Sequence, residues 1–172
     1  MDNKPKKIDN QVTVQRLKNL LPTVKNVQQA LDFPNVSTMK NRFGEDVVIV
    51  MLFAEVEKGL EAFNVKAGMS SEQISVFVDD FLDEYNHESI ADLKICLKRA
   101  RLGKYGTHYQ SIDQLQIMEW FKQYLAEKAD ARRKRHEKIK NKIKQQITGK
   151  GTITPEQFKE LRKQLEDDTK NT

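Results

Sequence analysis

The stretch EDVVIVMLFAEVEKGLEAFN, residues 45–64, decides the fold. Its face Val48, Leu52, Val56, Leu60 and Phe63 repeats every three or four residues, the period of an amphipathic helix. Val47, Ile49, Val50, Met51 and Phe53 make the first half apolar all round, which marks a centrally buried helix. A β-strand over 47–54 competes for the same eight apolar residues. The helical pattern, however, continues into charged residues, and no hairpin signal follows. The stretch therefore predicts a central helix from about Glu45 to Asn64.

Working outward, the chain on either side is helical too. From Val12 to Leu31, apolar residues at Val14, Leu17, Leu20, Leu21, Val24, Val27 and Leu31 keep near-helical spacing. Pro22 divides that run into two short helices, because proline lacks an N–H and disfavours a helical residue before it. Asn35-Val36-Ser37 opens a short helix ending near Phe43-Gly44. Downstream, Ser70…Gln73, Ser111…Gln114 and Thr154…Gln157 each have the capping-box spacing, in which two side chains satisfy each other's backbone donors. Ser89 with Asp92 is a weaker version of it. These starts predict helices near 71–85, 89–102, 112–146 and 155–167, with Gly103 as a C-terminal cap. Seven glycines and four prolines in 172 residues are too few for a turn-dense β fold. The expected class is all-α: a compact helical bundle over 12–127, a long projecting basic helix over 128–150, and a short amphipathic C-terminal helix and tail over 151–172. Residues 1–11 read as a disordered lead.

Charge is partitioned unevenly. Residues 1–127 carry 16 Lys/Arg against 18 Asp/Glu, residues 128–150 carry 10 against 2, and residues 151–172 carry 4 against 5. The net charge of +5 is thus a property of one segment. Within it, Arg132-Arg133-Lys134-Arg135, Lys138 and Lys142 wrap around the helix, since successive residues point about 100° apart. A cationic helix gains affinity for polyphosphate by releasing condensed counterions, so nucleic acid is the expected partner. A solvated helix, or one facing an acidic protein or membrane surface, is the alternative. Ile139, Ile143 and Ile147 supply a thin apolar seam for a partner, as do Phe158, Leu161 and Leu165 of the last helix.

A second basic segment runs through Lys94, Lys98, Arg99 and Arg101 into a glycine-bracketed loop with Lys104, Tyr105, His108 and Tyr109. Such a loop can place a lysine near phosphate while tyrosine stacks on a base. Its spacing is neither GxxxxGK[ST] nor GxGxxG, so it is no nucleotide-binding loop. The competing reading is an interhelical loop whose tyrosines dock into the bundle.

Other candidates are weaker. Asp79, Asp80, Asp83, Glu84 and Glu88 are spaced to chelate a divalent ion, but no matching His or Asn set accompanies them. A solvated or interface acidic face is the favoured reading, with the basic 94–104 stretch of the next helix or of a neighbouring copy as an electrostatic partner. His87, His108 and His136 are not at metal-ligand spacings. Cys96, the single cysteine, falls in a helical apolar pattern and reads as a buried small hydrophobe. Trp120, Phe121 and Tyr124 read as core or interface anchors. No catalytic set, metal or cofactor is expected. The stretch MDNKPKKIDN has no apolar core of a signal peptide, and no run is long enough to span a bilayer, so a cytoplasmic location in a bacterial host cell is expected.

FLDEY followed by SIADLKICLKRARLGKYGTHYQSIDQLQIMEWFKQYLAEK, residues 89–128, resembles small helical proteins encoded on phages and mobile elements of Bacteroidota, a domain of unknown function. An upstream segment like NVSTMKNRFGED, residues 35–46, belongs to the same resemblance, which covers roughly residues 34–130. The mobile-element setting implies DNA replication or transfer, by analogy with helicase-loader or replisome-organiser modules. Two functions follow. One is a DNA- or RNA-associated accessory factor, non-specific in sequence. The other is an adaptor without nucleic-acid binding, engaging a helicase, a virion component or a second copy of the chain.

Overall fold

The structure, a computed structural model, describes residues 16, 18, 19, 21–63, 65, 68–106, 111–147 and 154–170, the side chains of 146, 147 and 164–170 excepted. It is all-α, and no strand occurs among the described residues. A 3-10 turn at Leu21–Thr23 precedes α1 (Val27–Ala30), α2 (Val36–Phe43), α3 (Glu45–Glu61), α4 (Ser71–Glu84), α5 (Ile90–Arg101), α6 (Gln114–Ile147) and α7 (Pro155–Lys170). The chain forms two compact units, 1–124 and 125–172, so α6 begins in one and ends in the other.

The first unit is a bundle around α3, which packs against α2, α4 and α5, while α1 lies on α5. Val48, Leu52, Val56 and Leu60 are buried as the helical period requires, and Phe63 beyond the helix end is buried too. The apolar first half is not buried all round: Val50 is exposed, and Val47, Ile49 and Phe53 are half-buried. Close approach of α3 and α5 needs Gly59, because a Cβ there would meet Leu97 Cδ1 at 2.6 Å. Pro22 falls inside the 3-10 turn, where the helical run breaks.

The helix starts are built locally. Asn26 and Asn35 cap α1 and α2 by accepting from the amides of Gln29 at 3.1 Å and Thr38 at 2.8 Å. The first amides of α2 are satisfied across the chain: Val36 N–H donates to the Glu88 carbonyl at 2.8 Å and Ser37 N–H to that of Asn86 at 2.9 Å. Gly44, at φ +89°, lets α2 turn directly into α3. Complete capping boxes stand at Ser70/Gln73 and Ser89/Asp92, and both reciprocal bonds are present at Thr154/Gln157. The expected Ser111/Gln114 box does not form. Asp113 caps α6 instead, accepting from Gln116 N–H at 2.9 Å, and the Gln114 amide donates to the Asp80 carboxylate. Gly103, at φ +75°, ends α5 as expected: its N–H donates to the Ala100 carbonyl and that of Lys104 to Arg99, the two bonds of a Schellman turn.

An aromatic cluster joins α4 to α6. Phe81 and Tyr85 meet the Phe121 ring edge-on at 5.0 and 4.9 Å, Phe121 stacks on Tyr124, and Trp120 stacks on Phe63 at 5.6 Å. Beside it lies a buried polar knot. Asp92 Oδ2 accepts from Ser89 N–H at 2.8 Å and its hydroxyl at 2.7 Å, and Oδ1 accepts from the Tyr124 hydroxyl at 2.6 Å. Burial, with the Asp92 carboxylate adding to it, pushes the Tyr124 phenol far above its ordinary range, so it stays the donor. Cys96 is fully buried, and that burial raises its thiol well out of the reactive range.

Candidate nucleic-acid interface

The two basic segments belong to different units and are described one at a time. In the first unit, α5 carries Lys94, Lys98, Arg99 and Arg101 toward the Schellman turn. Two of these cations are engaged inside the chain. The Lys94 ammonium donates to the Leu21 carbonyl and, at 3.0 Å, to that of Val24. Lys98 donates to the Lys25 carbonyl at 3.1 Å. They therefore fasten the 3-10 turn and the α1 approach onto α5. Burial pushes Lys94 below the ordinary lysine range, opposed by the nearby Glu55 carboxylate.

Tyr105 behaves as an interhelical anchor rather than a stacking platform. It is half-buried, its hydroxyl is enclosed without a hydrogen-bond partner among the described residues, and burial pushes it up to about 12. Arg101 and Lys104 are exposed, and Arg99 is half-buried. Tyr109 and His108 lie outside the described residues. Within the acidic set, Asp79 and Asp83 make no ion pair among the described residues. Asp79, Asp80, Asp83 and Glu84 are exposed, and among the described residues no group of three or more His, Cys, Asp or Glu side chains could hold a metal ion.

In the second unit, helical phase divides the cation run that looks continuous in sequence. Lys128, Arg132, Arg135 and Ile139 fall at intervals of four, three and four, and so share one face. That face is covered: Lys128 is 6% and Ile139 5% exposed, while Arg132 and Arg135 are half-buried. Ile139, which the spacing assigns to a partner, is thus already covered by the chain itself. Ile143 is half-buried, as are Phe158 and Leu161 of α7; the side chains of Ile147 and Leu165 lie outside the described residues.

Outside that face the helix is open. Lys134, Lys138 and Lys142, at i, i+4 and i+8, are all exposed and form one row, with successive lysines about 6 Å apart along the axis. Arg133 and Lys140 are exposed as well, on another side of the helix. Arg133 pairs with Asp130 at 2.9 Å, a solvent-exposed contact of the weak kind. Lys134, Lys138 and Lys142 make no ion pair with a described carboxylate. Lys140 escaped the sequence reading, though the alternation of lysines from 138 to 144 was the available signal.

Among the described residues, no helix is long and apolar enough to cross a membrane. No protein-family model, curated protein or solved structure matches the chain.

Proposed function

We propose that the chain is a non-enzymatic, nucleic-acid-associated accessory protein of a phage or mobile element, serving DNA replication, and that it holds DNA or RNA without sequence preference. The observation that carries this reading is the exposed row Lys134, Lys138 and Lys142, which runs obliquely along α6 outside its covered face. Lysines there project into solvent with their charge uncompensated, the condition under which phosphate contact releases counterions. Arg133 and Lys140 offer further exposed cations on another side of the helix; Arg132 and Arg135 contribute less, being half-buried. In the first unit, Arg101 and Lys104 are the accessible cations, whereas Lys94 and Lys98 serve backbone carbonyls.

The test is fluorescence anisotropy with labelled single- and double-stranded DNA across a salt series. If one row meets about three phosphates, the slope of log K on log salt is about −2.7, and affinity falls about fortyfold from 50 to 200 mM. Replacing Lys134, Lys138 and Lys142 together by Gln should flatten the slope markedly, while Lys98→Gln should leave it unchanged. Weak binding at about 50 mM salt, or a slope indifferent to the triple substitution, would end this proposal.

A further inference from the structure

The first unit carries a second surface of opposite character. Between the start of α4 and the start of α6 lies an open groove of about 450 Å³, lined by Met69, Val76 and Leu115 with Glu72, Gln73, Asp113 and Gln114. Val76 is 56% and Leu115 78% exposed. A single exposed apolar side chain is ordinary, but two facing across one groove form a patch. The Gln114 side chain, at the start of α6, donates to Asp80 in the second half of α4, which fixes the two helices beside the groove.

Its rim is acidic by helical phase. Glu72, Asp79, Asp80 and Asp83 stand at i−4, i+3, i+4 and i+7 from Val76, and all are exposed. Fold stability does not account for Asp79 and Asp83. No lysine or arginine occurs in α4, and Asp83 and Glu84 occupy its last turn, where the helix dipole disfavours anions. Neither Asp79 nor Asp83 is in an ion pair among the described residues, and the first cation along α6 is Lys122, two turns beyond Leu115.

We propose that this groove receives a cationic amphipathic helix from a partner protein, its aliphatic side chains entering between Val76 and Leu115 and its lysines or arginines meeting Glu72, Asp79, Asp83 and Asp113. This is helix-in-groove recognition with charge complementarity setting the partner class. Nucleic acid and anionic lipid are repelled by the rim. The chain's own cationic helix, offered by a second copy, fits poorly because Ile139 of its apolar seam is already buried. The surface is independent of the basic row and does not rest on the nucleic-acid proposal.

The experiment uses the full chain and a labelled synthetic peptide of leucine and lysine, about 18 residues or five turns long, with leucines at helical spacing. A peptide of identical composition, scrambled to lose that spacing, is the control. Anisotropy should show the periodic peptide binding more tightly than the scrambled one. Leu115→Ser should weaken it about tenfold, the loss expected from removing one leucine-sized contact. Asp79→Asn with Asp83→Asn should weaken it and flatten its salt dependence without placing a new cation on the surface. Equal binding of the two peptides, or binding indifferent to both variants, overturns the proposal. So does displacement of the peptide by duplex DNA, or a wild-type dimer in sedimentation that Leu115→Ser dissolves, which would make a second copy the occupant.

Discussion

Replacing Tyr124 by Phe removes one oxygen from the buried knot and nothing else. The lost bond runs from the phenol to Asp92 Oδ1 at 2.6 Å, in a site where both residues are wholly buried. Hydrogen bonds to charged groups contribute about 1.5–3 kcal/mol, so a loss of about 2 kcal/mol is expected. With a urea slope of about 1–3 kcal/mol per molar, the unfolding midpoint should fall by about 1 M. Trp120 is the reporter of choice. It is the chain's single tryptophan, is buried against Phe63, and belongs to the same unit as the knot, so its fluorescence follows that unit alone. Asp92→Ala should cost more, since Ser89 and Tyr124 both lose an acceptor and α5 loses the reciprocal half of its capping box. In the Asp92→Ala background, Tyr124→Phe should then cost little, a coupling of about 1–2 kcal/mol. If Tyr124→Phe leaves the midpoint within about 0.2 M of wild type, or the two losses simply add, the knot does not hold α6 to α5 as described.

Two further outcomes follow from packing and burial. Gly59→Ala should destabilise the first unit by about 1 kcal/mol, overpacking against Leu97 outweighing the gain in helix propensity. In a Leu97→Ala background the sign should invert, and a stabilising Gly59→Ala in the wild type would refute the close approach. Burial raises the Glu55 carboxyl above the ordinary glutamate range, against the opposing pull of Lys94 and Lys58. A folded-state value above the unfolded one stabilises at low pH and is lost as pH rises through it. Glu55→Gln should therefore gain stability at about pH 7, and the gain should vanish below about pH 4, as urea midpoints across that range would measure.

What the sequence makes legible is what neighbours in the chain decide. The Ser70 and Thr154 caps, the Gly103 turn and the period of α3 depend on residues within four positions, and each formed where the pattern placed it. Contacts across the chain are what it hides. Ser111 has the same spacing as Ser70, but its Gln114 is drawn to Asp80, 34 residues away, and Asp113 takes the cap. Ser89 and Asp92 look like a faint capping box until Tyr124, 32 residues on, completes the knot. Lys94 and Lys98 resemble phosphate ligands because nothing near them in sequence reveals the carbonyls of residues 21–25. The cation run 132–135 reads as one block, yet helical phase turns Arg132 and Arg135 to the covered side and Lys134 to the open one.

The continuity of α6 from Gln114 to Ile147 bears on how its charged end comes to be helical at all. Starting a helix is the costly step, and extending one by a residue is nearly free. Residues 114–124, clamped by aromatic packing and by the Asp113 cap, act as a preformed seed from which the lysine-rich turns grow despite their mutual repulsion. The bundle thus templates the very segment that carries the positive charge, and the charged end is wound without any partner to wind it.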